Sequence, residues 1–189
     1  MKRTIIALLP LLSSLTLPAT ADVQERLQEQ FYDLQVASGQ SLSRAINQAS
    51  PIRQNGQIYH AYTRWQVQWN YWWREQRDGR CQIDLTRTQL HATLTLPRLS
   101  GGDAQQRQRF EHYLGALREH ELGHYRIGQA AAAEIDTALL QTPEYPSCTE
   151  LQRQANQRAN TVLQLYIEQE RRYDRDTGHG RTQGAWLTE

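Results

Sequence analysis

The chain has 189 residues and a formal net charge of +1, with 21 basic and 20 acidic side chains that nearly cancel. That balance excludes a dedicated nucleic-acid or polybasic membrane-surface role, since either needs a clear excess of positive charge. The length suits one domain with a real hydrophobic core.

The N-terminus carries Lys2 and Arg3, then an apolar run from Ile5 to Leu17, then Ala19-Thr20-Ala21. A charged start, a hydrophobic stretch too short for a bilayer and an A-x-A site read as a secretory signal peptide over residues 1–21. An uncleaved anchor is the other reading. Residues 22–189 are then one exported domain, periplasmic in a Gram-negative cell and extracellular otherwise, with no stable membrane insertion after cleavage. Lys2 is the only lysine, so this domain carries its positive charge on arginine. It contains two cysteines, Cys81 and Cys148. An even count in an oxidising compartment points to a disulfide, the alternative being that one of them ligates a metal.

Residues 22–30 are polar and rich in Gln and Glu, and read as an unstructured lead-in. Residues 31–37 read as a short strand, ended by Gly39, and Ser41 as the N-cap of a short helix through Gln48. Pro51 and Asn55-Gly56 mark a loop. From Tyr59 to Trp73, apolar Ala61, Trp65, Val67, Trp69 and Tyr71 alternate with polar residues, the period of a strand with one buried face. Asp78-Gly79 is a turn signal. Cys81, Ile83 and Leu85 start a second strand, continued by Leu90, Ala92, Leu94 and Leu96 past a bulge near residues 87–89. Two long helices follow. The first covers residues 103–140 with Asp103 as N-cap, and the second residues 148–172, with the break at residues 142–146. Residues 173–180 form a turn-rich tail. The expected fold class is α+β: a small antiparallel β-sheet of three or four strands packed on two long antiparallel helices.

The first long helix contains His120-Glu121-Leu122-Gly123-His124, an H-E-x-x-H motif. Residues four apart on a helix point the same way, so both imidazoles can hold one metal ion while Glu121 reaches a water beside it. This is the arrangement of zinc hydrolases, with two nitrogen ligands and a carboxylate general base. The motif interrupts an apolar stripe made by Phe110, Leu114, Leu117, Ile127, Ala131 and Ile135, and three polar groups on a core-facing stripe are costly unless something satisfies them.

A catalytic zinc usually takes three protein ligands. Glu134 lies ten residues past His124, roughly 15 Å along the helix axis and out of reach. Glu144 would need the helix to break soon after His124, against the helix-forming run Ala130–Ala133. A second helix of about 25 residues, roughly 37 Å long, returns from the turn to the level of the motif. It delivers Asp174, Asp176 and His179. Gly178 and Gly180 flank His179 and permit close backbone approach, which makes His179 the expected third ligand. Tyr173 is a candidate hydrogen-bond donor to an oxyanion, and Asp174 a candidate acceptor for a ligating imidazole. His112 is rotated off the motif's face, and His60 and His91 fall in the strand region without metal spacing.

The stretch Arg64-Trp65 through Trp72 with Cys81, then Leu96-Pro97, the motif itself, and Tyr173-Asp174 with Thr177-Gly178-His179-Gly180 resemble a bacterial secreted family of unknown function classed as predicted zinc-dependent proteases. The resemblance implies a zincin-like domain and a disulfide between Cys81 and Cys148, and suggests that the tail belongs with the active site. The expected activity is hydrolysis of a protein or peptide substrate with Zn²⁺ as cofactor. His120, His124 and His179 would be its ligands, Glu121 the general base, Tyr173 the oxyanion partner and Asp174 a supporting acceptor. Two other readings stand beside it: an amidase acting on cell-wall peptides, and a non-catalytic envelope protein with a structural metal or none.

Overall fold

A computed structural model of the chain describes residues 23–54 and 56–187. The expected signal segment lies outside the described residues. The molecule is α+β. In chain order it has β1 (Val23–Val36), α1 (Leu42–Ala49), β2 (Arg53–Gln54), β3 (Gln57–Ile58), β4 (Tyr62–Glu75), β5 (Cys81–Gly101), α2 (Ala104–Leu140) and α3 (Cys148–Thr177), then a 3₁₀ turn at Arg181–Gln183.

The main sheet has the order β1-β5-β4. β4 and β5 form the expected antiparallel pair, but β1 runs parallel to β5 from Val23↔Thr88 to Val36↔Gly101. The sheet is therefore mixed, not antiparallel. Residues 23–30, read as part of an unstructured lead-in, are the first half of β1. They escape a hydropathy reading because the inward positions include Glu25 and Glu29, which bond to α2 through Tyr125, Gln129 and Arg118.

The bulge expected at residues 87–89 lies instead at Asp84, where the β4 register moves from Trp72↔Leu85 to Trp73↔Ile83. One extra residue reverses the alternation. Cys81 and Ile83 point inward, Leu85 is turned out at 53% exposure, and Thr86, Thr88, Leu90, Ala92, Leu94 and Leu96 are buried.

α2 packs across the inner face of this sheet. It opens with a capping box in which the Asp103 side chain accepts from the Gln106 N–H and the Gln106 side chain accepts from the Asp103 N–H. Gln106 also donates to the carbonyls of Ala37 and Gln40, tying the helix start to the loop after β1. Gly128 lets the sheet approach, since a Cβ there would lie 2.9 Å from the Trp65 ring. α3 packs on α2: Tyr166 bonds Glu134, and Tyr173 reaches Gly123 and His120. Cys81 and Cys148 form a disulfide that ties the start of β5 to the start of α3.

The buried apolar residues fall into two clusters. One gathers Phe110, Tyr113 and Leu117 with Leu94, Leu96 and α1; the other gathers Ala131, Ile135 and Leu139 with Leu90, Val67 and α3. On α2 the His120–His124 motif sits in the gap between them. No helix among the described residues is long and apolar enough to cross a membrane.

Candidate metal centre

His120, Glu121 and His124 are all buried, 3%, 5% and 8% exposed. α3 extends to Thr177, five residues past its expected end, so Tyr173 and Asp174 are helical and not in a tail. This places Glu170 and Asp174 four residues apart on one face of α3, both turned toward the motif.

The two imidazoles stand edge to face at 84° and present the same nitrogen to one oxygen. His120 Nε2 lies 3.3 Å and His124 Nε2 3.0 Å from Asp174 Oδ1. Their other nitrogens are occupied: His120 Nδ1 is 2.9 Å from Gln183 Oε1, and His124 Nδ1 is 3.2 Å from Glu170 Oε1. Both nitrogens of each ring therefore face acceptors; a metal ion taking the Nε2 side would leave the remaining proton on Nδ1, held by Gln183 or Glu170. Glu170 is itself held by the Trp65 indole N–H.

His120, His124 and Asp174 offer metal-binding atoms that all lie within 4.8 Å of one another. In a tetrahedral site with bonds of about 2.0–2.1 Å, ligand atoms stand about 3.3 Å apart. The 3.0 and 3.3 Å separations fit that figure. The donor set of two nitrogens and a carboxylate oxygen also suits zinc. His179 is brought to the same place, with Nδ1 3.3 Å from Asp174 Oδ1, but it is 51% exposed and stands outside the group of mutually close atoms.

The backbone that presents His179 is unusual. Gly178, His179 and Gly180 all have positive φ, at 55°, 52° and 83°, and His179 is the one non-glycine residue with this sign among the described residues. A Cβ at Gly180 would lie 2.9 Å from His120 Cγ, so only glycine lets the tail fold over that imidazole. Tyr173 stacks on His120 with ring centroids 5.0 Å apart. Its hydroxyl donates to the His120 carbonyl and accepts from Gln183 Nε2.

Charge at the site follows from burial and contact. Burial alone would depress His124, but its hydrogen bonds to Asp174 and Glu170 and the nearby carboxylates raise it to about 10. Burial would raise the Asp174 carboxyl, yet hydrogen bonds with His120 and His124 hold it well below the usual range. Burial pushes Glu121 up, against the opposing pull of His124 and His120. Three acids around two imidazoles make a site that attracts positive charge.

The centre opens into a cleft of about 910 Å³ whose lining includes Glu121, His179, Tyr59, Tyr62 and Trp186. His60 lines the cleft farther off, bonded to Tyr113 and Asn47. His112 is exposed, and His91 lies on the sheet's outer side, opposite Gln66. Glu134 bonds Tyr166, and Glu144 pairs with Arg80 beside the disulfide. Sequence reading did not find Glu170 or Gln183. Glu170 carried a weak signal, lying one helical turn before Asp174; Gln183 carried none.

The profile of a family described as a bacterial protein of unknown function (DUF922) matches residues 29–180, and the chain belongs to that family. Among curated proteins and among solved structures, none matches the chain.

Proposed function

We propose that this protein is an exported, zinc-dependent, zincin-like peptidase. The observation that carries the reading is the paired orientation of His120 and His124, with each Nδ1 tied to an acceptor and both Nε2 atoms converging on one Asp174 oxygen. His120, His124 and Asp174 would hold the ion, with Asp174 taking the ligand place that spacing alone gives to His179. When bound, zinc would supply Lewis acidity toward a substrate carbonyl and lower the pKa of an adjacent water.

The chain's own residues do the rest. Glu121 takes a proton from the attacking water and returns it to the leaving amine, so that one water is consumed per bond cut. A raised carboxyl suits a group that must both accept and release that proton. His179, half exposed at the cleft, can donate to the developing oxyanion. Tyr173 keeps the His120 turn in place by its stacking and hydrogen bonds. Glu170 and Gln183 fix the two imidazoles.

The test is Glu121→Gln in the exported, oxidised protein, assayed on casein and on purified sacculi in parallel. Turnover should fall at least ~100-fold while one zinc is retained by mass spectrometry. Hydrolysis undiminished in that variant would overturn the mechanism. Asp174→Ala should lose the zinc, and His179→Ala should keep it and lose rate.

A further inference from the structure

The sheet has a second face, turned away from α2. Paired residues share a face, so this one is read in rungs across β1, β5 and β4: Gln24–Gln89–Gln68, then Arg26–His91–Gln66. The next two rungs bring Arg64 and then Tyr62, and the opposite end is closed by Arg87 and the Trp72–Leu85 pair. Its β1 and β4 members are exposed and its β5 members from Gln89 to Thr95 are half-buried, so none is covered by another described element. From Trp72 to Tyr62 the track is about 33 Å long at ~3.3 Å per residue.

Three properties define what this surface can bind. It holds no carboxylate between those two aromatic ends, because the acids of this part of β1, Glu25 and Glu29, face α2. Arg26 and Arg64 have no ion-pair partner among the described residues, and Arg87 lies over the exposed Trp72 ring. The middle of the track is built of amides, hydroxyls, guanidinium groups and the His91 imidazole, with no apolar centre of the kind a protein interface buries. Three arginines along about 33 Å are also far sparser than the phosphates of duplex DNA, at one per ~1.7 Å.

We infer that the outer sheet face is a binding track for an acidic polysaccharide. The arginines would pair with sugar carboxylates, the Gln and Thr side chains with hydroxyls, and Trp72 and Tyr62 would pack on sugar rings at either end. This surface lies on the opposite side of the sheet from the metal centre, so the inference stands apart from the proposed activity. It gives the protein a means of being held on an envelope or matrix glycan.

Affinity electrophoresis of the full exported protein tests it, with gels containing alginate, a polyuronate, or neutral dextran. Alginate should retard the protein and dextran should not. The double substitution Arg26→Glu with Arg64→Glu should weaken retardation at least ten-fold with an unchanged circular dichroism spectrum, and Trp72→Ala should weaken it separately. Glu121→Gln should bind alginate as the wild type does. No retardation by alginate, or undiminished retardation of the double variant, would overturn the inference. Tighter binding to duplex DNA in a parallel gel would replace the polysaccharide with a nucleic acid and overturn it equally.

Discussion

His60 shows how a single side chain couples this fold to pH. Its Nε2 lies 2.8 Å from Asn47 Oδ1 and its Nδ1 2.6 Å from the Tyr113 hydroxyl, so the neutral ring is satisfied on both sides. Burial pushes its pKa from 6.5 down to about 4. Between those values the unfolded chain binds a proton that the folded chain refuses. The stability His60 contributes is therefore full above pH 6.5 and is lost as the pH falls toward 4, by up to about 3 kcal/mol. Urea denaturation at pH 7 and pH 4 should show a smaller acid loss in His60→Gln than in the wild type. Equal losses would rule out His60 as the source. At this scale the sequence was most readable for His120, Glu121 and His124, because one turn of helix fixes their relation. Gln183 was unreadable, because it meets His120 only after the tail has folded back over α2.

Where α3 crosses α2, the contact depends on Gly123. A Cβ there would fall well inside the van der Waals surface of the Tyr173 hydroxyl and ring. Gly123→Ala must push α3 or the Tyr173 ring away, and with it the His120 stacking. It should destabilise the protein by about 1–3 kcal/mol and weaken zinc retention. Denaturant midpoints and metal content, compared with the half-buried neighbour variant Leu122→Ala, measure both. A loss under about 0.5 kcal/mol would mean the helices do not need this approach. Elements with a strong period, such as β4 and α2, were legible in advance. The first half of β1 was not, because its inward Glu25 and Glu29 find partners on α2 and so leave no alternation of hydropathy. The end of α3 was missed because Tyr173 alone breaks the polar run after Ile167, and the helix is instead stopped by the left-handed Gly178.

For the molecule as a whole, a metal that binds only the folded form must raise its stability. Zinc at about 100 times its dissociation constant would add ~2.7 kcal/mol. That corresponds to a Tm rise of about 5–11 °C in a domain of this size. A chelator should reverse it and Asp174→Ala should abolish it; an unchanged Tm in the wild type would argue that the centre takes no metal. The parallel pairing of β1 with β5 has a different consequence, for the order in which the chain is made. Partners in that pair are 65 residues apart. At a synthesis rate of roughly 5–20 residues per second, β1 waits about 3–13 s for its partner to emerge. An unpaired strand in that interval is a template for aggregation. The Gln, Glu and Arg that hid the first half of β1 from a hydropathy reading are the side chains that keep such a strand soluble while it waits.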